Sequence, residues 1–235
     1  MVVVKQAGSN ILTVVEEQQL AAMTAFMQAV LGGDDTGHDT SHIDRVVALT
    51  KHILATEPTA DAFIAIAAAT LHDTYDDKLF KDVTSAKRAV VAMLADNGVN
   101  EAQQAEIFQI IDNMSWSKQR FGKPEPLSLA GQIVQDADRL DAIGAVATAR
   151  AIQYGSVKRR TLYDPAIKPQ IFTSKADYRA ANDETTMNHF YEKLFLLKDY
   201  LNTREGKRIG TIRDRAMHDF VAQFEAEWAG TDYLD

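Results

Sequence analysis

Between Ala62 and Leu71 the chain reads AFIAIAAATL, ten positions in which only a threonine interrupts apolar side chains. Such a stretch is apolar around its whole circumference when wound as a helix, so it belongs inside the protein, surrounded by other elements. It is also far short of the roughly 18 apolar residues that a membrane span needs. The rest of the chain must therefore supply a helical coat. With 12 Gly and 5 Pro among 235 residues, breakers are sparse, and the segments between them are longer than strands usually run.

Segments 13–30, 42–55, 84–97 and 101–114 are predicted as helices. The first stops at Gly32 and Gly33, the second before Pro58 and the third at Gly98. A polar stretch runs on to Pro126, and 127–154 reads as one long helix stopped by Gly155. A loop over 156–174 holds Pro165 and Pro169, and helices at 183–201 and 204–228 complete the chain. No repeat or composition shift marks a linker, so the expectation is a single all-α domain over residues 1–235, a helical bundle.

Composition narrows the function classes. Lys and Arg total 25 against 33 Asp and Glu, a net charge of −8, which argues against a polynucleotide partner because such binding depends on a basic surface. With no cysteine, disulfides and thiolate chemistry are excluded, and any metal must be held by His and carboxylates. The opening MVVVKQAGSN has one Lys and a three-residue apolar run, too little for a signal peptide, so no membrane association and a cytoplasmic location are expected.

The chemistry gathers where the apolar helix ends. His72, Asp73, Asp76 and Asp77 fall within LHDTYDD, and such groups repel one another in a dry pocket unless a cation is present. A lone HD dipeptide is more often a helix terminus with a capping histidine and a solvated carboxylate. Here, however, it stands with GHDTSHIDRV, where His38 and His42 are four apart, and with QDADRLDAIG, where Asp138 and Asp141 share a helical face.

In this order the motifs resemble the HD-domain metal-dependent phosphohydrolase superfamily. The similarity covers about residues 38–154 by motif and extends through HFYEKLFLLKDYLNT and FEAEW toward the bacterial nucleotide pyrophosphohydrolase branch. The resemblance implies an HD-type bundle with metal ligands at His42, His72, Asp73 and Asp138. It also implies that the acidic pair Asp76 and Asp77 positions or activates the attacking water. Two imidazoles and two carboxylates suit one divalent ion, Mn²⁺, Mg²⁺, Fe²⁺, Co²⁺ or Ni²⁺, and leave positions open for water and a phosphate oxygen.

The substrate expected is a small phosphorylated molecule, foremost a nucleotide, with pyrophosphate release favoured by the resemblance. The alternative is a metal- and nucleotide-binding regulatory module without turnover. Arg45, Lys78 and His38 are candidates for substrate contact. Against those roles stand a surface ion pair for Arg45 and a loop terminus for His38. Asp141 either steadies a ligand histidine or pairs with a donor such as Arg139. His52, His189 and His218 lack acidic neighbours at ligand spacing and read as solvated or packed; Tyr154, Tyr163 and Tyr191 read as core rather than base-stacking groups. One departure stands out: where the related branch has a histidine, this chain reads DNMSWSK, with Asn113 and Met114.

Overall fold

A computed structural model describes residues 11–32, 40–77, 79–180 and 185–233. All elements among them are helical, which matches the all-α expectation. None of these helices is long and apolar enough to cross a membrane. Two compact units are present, Met1–Asp138 and Arg139–Asp235.

The first unit is built around α3 (Ala62–Leu71), every residue of which is buried. Asp61 starts it, its carboxylate accepting the Ile64 amide at 3.1 Å, an N-cap that satisfies one of the orphan donors of the first turn. Around it pack α1 (Val14–Leu31), α2 (Thr40–Leu54) and α5 (Glu101–Asn113). α1 opens with a reciprocal capping box between Thr13 and Glu16, and α5 with one between Asn100 and Gln103. α4 (Val83–Asp96) lies against α1. Thin side chains on α3, Ala65 and Ala67 to Ala69, all at 0% exposure, let its neighbours approach closely.

The polar stretch before Pro126 holds a helix that the sequence reading leaves as a connection, α6 (Trp116–Phe121), capped by Ser115. Asn113, in the segment that departs from the related branch, is structural: buried, it donates to the Gln109 carbonyl and accepts the Glu125 amide. The Met114 carbonyl accepts from Gln135.

The expected single helix over 127–154 is two, α7 (Leu129–Asp141) and α8 (Ala145–Val157). The break falls at Gly144, whose φ of 95° lies where a Cβ is strained and where an added Cβ would meet the Arg213 side chain at 3.0 Å. Gly155 does not stop the helix; it sits inside α8, with the Thr186 side chain against its Cα.

In the second unit, α9 (Lys175–Ala180) is followed by α10 (Asn188–Glu192), a 3-10 segment (Leu194–Tyr200) and α11 (Arg204–Ala229). The helix expected over 183–201 is thus interrupted at Lys193, whose φ of −142° departs from helical values, and its start lies outside the described residues. In the tighter winding Leu194 and Leu197, three apart, are both buried. The loop after α8 is stapled down: Thr186 and Met187 amides donate to the Thr161 and Leu162 carbonyls, and Glu192 accepts the Gln170 amide.

Candidate metal centre

The C-terminal end of α3 leaves carbonyls without helical partners, and side chains take them up. The Thr74 hydroxyl donates to the Leu71 carbonyl at 2.6 Å, and His72 Nδ1 lies 2.8 Å from the Ala69 carbonyl. A carbonyl only accepts, so Nδ1 carries the proton and the neutral ring presents a lone pair at Nε2. Holding a ligand histidine in this tautomer was one role open to Asp141; for His72 a main-chain oxygen performs it. Asp141 instead accepts from Arg150 at 2.8 Å, and Arg139 donates to the Tyr200 carbonyl.

That Nε2 faces His42 Nε2, carried by α2, at 3.3 Å. Asp73 reaches both rings, Oδ2 at 3.6 Å from His42 and Oδ1 at 3.5 Å from His72. From α7, Asp138 Oδ1 stands 3.6 Å from His42 Nε2 and 3.8 Å from His72 Nε2. Donor atoms sharing one cation at about 2.1 Å lie roughly 3 to 3.5 Å apart, so His42, His72 and Asp73 are spaced nearly as a bound ion would leave them, with Asp138 standing close to both rings. His42, His72 and Asp73 are buried, each under 9% exposed, and form a group able to hold a metal ion. Asp138, a third exposed at its side chain, is the open side of the cluster.

Electrostatics fit a cation there. Burial is the largest influence on the His72 ring and lowers its pKa, yet Asp73, Asp138, the Ala69 carbonyl and Asp76 together raise it above the ordinary 6.5. Carboxylates thus surround a sealed pair of imidazoles, and positive charge is favoured between them. An N₂O₂ donor set of imidazole and carboxylate fits a divalent first-row ion or Mg²⁺.

The other expected residues fall as follows. Asp76 is half-buried in the turn after Asp73, and Asp77 beside it is exposed. Arg45, half-buried on α2, donates to the Ser41 hydroxyl at 3.0 Å. His38 and Lys78 lie outside the described residues. A pair that sequence reasoning missed is Tyr75 and Asp112, hydrogen-bonded at 3.1 Å across 37 positions, a distance at which no local spacing signals contact.

Residues 40–143 match the HD domain family. A crystal structure of an HD-superfamily hydrolase from Bacillus thuringiensis aligns with 91% of this chain and 98% of its own, at 34% identity and a TM-score of 0.71. The chain belongs to the HD-domain phosphohydrolase superfamily. A structure from Lactobacillus plantarum is 41% identical, with a TM-score of 0.82 over 91% of this chain and 98% of that one. YpgQ of Bacillus subtilis is 34% identical over 217 residues, 92% of this chain and 97% of YpgQ. Its crystal structure in complex with ADP matches at 33% identity and a TM-score of 0.72, covering 91% of this chain and 97% of that one. In this HD-domain chain, the histidine and aspartate that follow one another are His72 and Asp73, set at the end of its most buried helix.

Proposed function

We propose that this protein is a metal-dependent phosphohydrolase acting on a small phosphorylated substrate, a nucleotide, with pyrophosphate release from a nucleoside triphosphate as its reaction. The observation that carries the proposal is the convergence of His42, His72, Asp73 and Asp138 at 3.3 to 3.8 Å, with the His72 lone pair turned inward by the Ala69 carbonyl. The complex of YpgQ with ADP supports a nucleotide as the class of ligand.

His42 and His72 supply nitrogen donors, and Asp73 and Asp138 supply oxygens. They would hold a divalent cation, Mn²⁺ or Mg²⁺ being the first to try, which would supply the Lewis acidity to lower the pKa of water and polarise a phosphoryl oxygen. Of Asp76 and Asp77, one carboxylate accepts the proton of the attacking water and the other positions it, for which their place one turn beyond Asp73 suits them. Arg45, with Lys78 and His38, meets the charge that builds on the phosphate oxygens. The chain's acidity does not oppose an anionic nucleotide that arrives with its own Mg²⁺.

The test is release of phosphate and of pyrophosphate from a panel of nucleotides with Mn²⁺. Turnover abolished by EDTA and by Asp77→Ala is the expected result. Nucleotide binding without turnover across several metals would replace the enzyme by a regulatory module.

A further inference from the structure

Between α3 and α4 the chain carries the acidic pair on a connection that is fastened on both sides. After the pair, Leu79 and Phe80 pack against the buried cluster of Met27, Leu31 and Ile43, and their amides both donate to the Asp76 carbonyl at 3.0 Å. Before it, Tyr75 is only 6% exposed, and its hydroxyl donates to Asp112 Oδ1 on α5. The second oxygen of Asp112 accepts from Lys87 of α4 at 2.5 Å, and the Asp112 carbonyl accepts from Lys118 at 2.9 Å. The Lys87 ammonium also lies over the rings of Tyr75 and Phe108, 5.2 and 4.9 Å from their centroids.

This arrangement exceeds what burial requires. A phenylalanine would fill the space beside Phe108 equally well; the hydroxyl adds direction, setting where the ring stands along α5. Because Asp76 follows Tyr75 directly, a shift of the ring is passed to its carboxylate through one peptide unit, and small misplacements of a catalytic group cost rate steeply. Lys87 holds the second oxygen of Asp112 and so orients the one that Tyr75 meets.

We propose that Tyr75 and Asp112 are positioning residues for hydrolysis, tying the segment that bears Asp76 and Asp77 to α5; the inference rests on the hydrolase reading above and deepens it.

The experiment compares Tyr75→Phe, Asp112→Ala, Asp112→Asn and the double variant Tyr75→Phe/Asp112→Ala with wild type, with Mn²⁺ and the best nucleotide of the panel. Tyr75→Phe and Asp112→Ala each lower kcat by about tenfold to a hundredfold, with KM and bound manganese unchanged. Asp112→Asn, which keeps an acceptor for the phenol, recovers most of the rate. The double variant is no slower than Asp112→Ala, since both changes remove one interaction. A kcat for Tyr75→Phe within about twofold of wild type, or losses that multiply in the double variant, overturns the proposal. If wild type hydrolyses nothing, the hydrolase reading has failed by itself, and the tie is read from amide exchange over residues 74–77. Faster exchange in Tyr75→Phe upholds the tie, and unchanged exchange overturns it.

Discussion

His42 and His72 turn their Nε2 atoms toward each other at 3.3 Å, their ring planes crossing at 73°. Because His72 Nδ1–H donates to the Ala69 carbonyl, the neutral ring can only accept at Nε2, so its lone pair is directed at the His42 ring. The arrangement makes sense as half of a ligand shell.

Removal of either ring, or of Asp73, is therefore expected to weaken metal binding by more than about a hundredfold, beyond what loss of an outer hydrogen bond costs. Asp76→Ala and Asp77→Ala retain the metal and lose rate instead. Elemental analysis of the purified variants checks this, and wild-type metal content in His72→Ala would refute the ligand assignment.

His189 sets an acid limit on stability. Burial first, then the charges of Lys193 and Arg160, lower its pKa from 6.5 to about 3, and its Nδ1 has no hydrogen-bond partner. The folded ring stays neutral where the unfolded one takes up a proton, so stability falls as pH drops from about 6.5 toward 3, with a slope of at most about 1.4 kcal/mol per pH unit. Urea unfolding at about pH 7 and about pH 5 should show wild type losing up to about 2 kcal/mol more than His189→Gln. Parallel losses in the two proteins would count against this origin.

Gly155→Ala should destabilise, against the usual sign for a helix interior. Alanine gains up to about 1 kcal/mol there by propensity. At this position, though, the new Cβ falls 2.1 Å from Thr186 Oγ1 and 3.1 Å from its Cβ and Cγ2. Crowding of this kind costs about 1 to 3 kcal/mol, so a net loss of about 1 to 2 is expected in denaturant unfolding. A more stable variant would mean that Thr186 moves aside freely.

Asp61→Ala removes the cap that starts α3 and should cost about 1 kcal/mol in the same assay, with metal content unchanged, because the cap lies at the opposite end of the helix from His72. Loss of metal in this variant would show that the position of His72 depends on how α3 begins.

Helical content, the interior place of Ala62–Leu71 and the residue types of the His42, His72 and Asp73 cluster were legible in the chain, because each is set by properties of neighbouring residues: breaker frequency, apolar circumference, and charge placed after a buried element. Local reasoning failed where a distant contact decides. Gly155 looked like a terminus but is a clearance for Thr186, and Gly144 looked like helix interior but takes a φ of 95° beside Arg213. His218, read as lacking an acidic neighbour, is a miss of another kind: Asp214 stands one turn before it on the same helix at 3.7 Å, and the ring stacks on Phe195.

Amino-acid order alone established which kinds of side chain were available to hold a cation and that helices would carry them, since periodicity and composition act over a few turns. Which atoms meet was settled only on folding. His42, His72, Asp73 and Asp138 come from three stretches of chain, and their separations depend on how α2 and α7 pack beside the end of α3. The choice of the Ala69 carbonyl as the partner of His72 likewise had no signal in residue identity, because every residue carries a carbonyl, and only the helix end exposes this one.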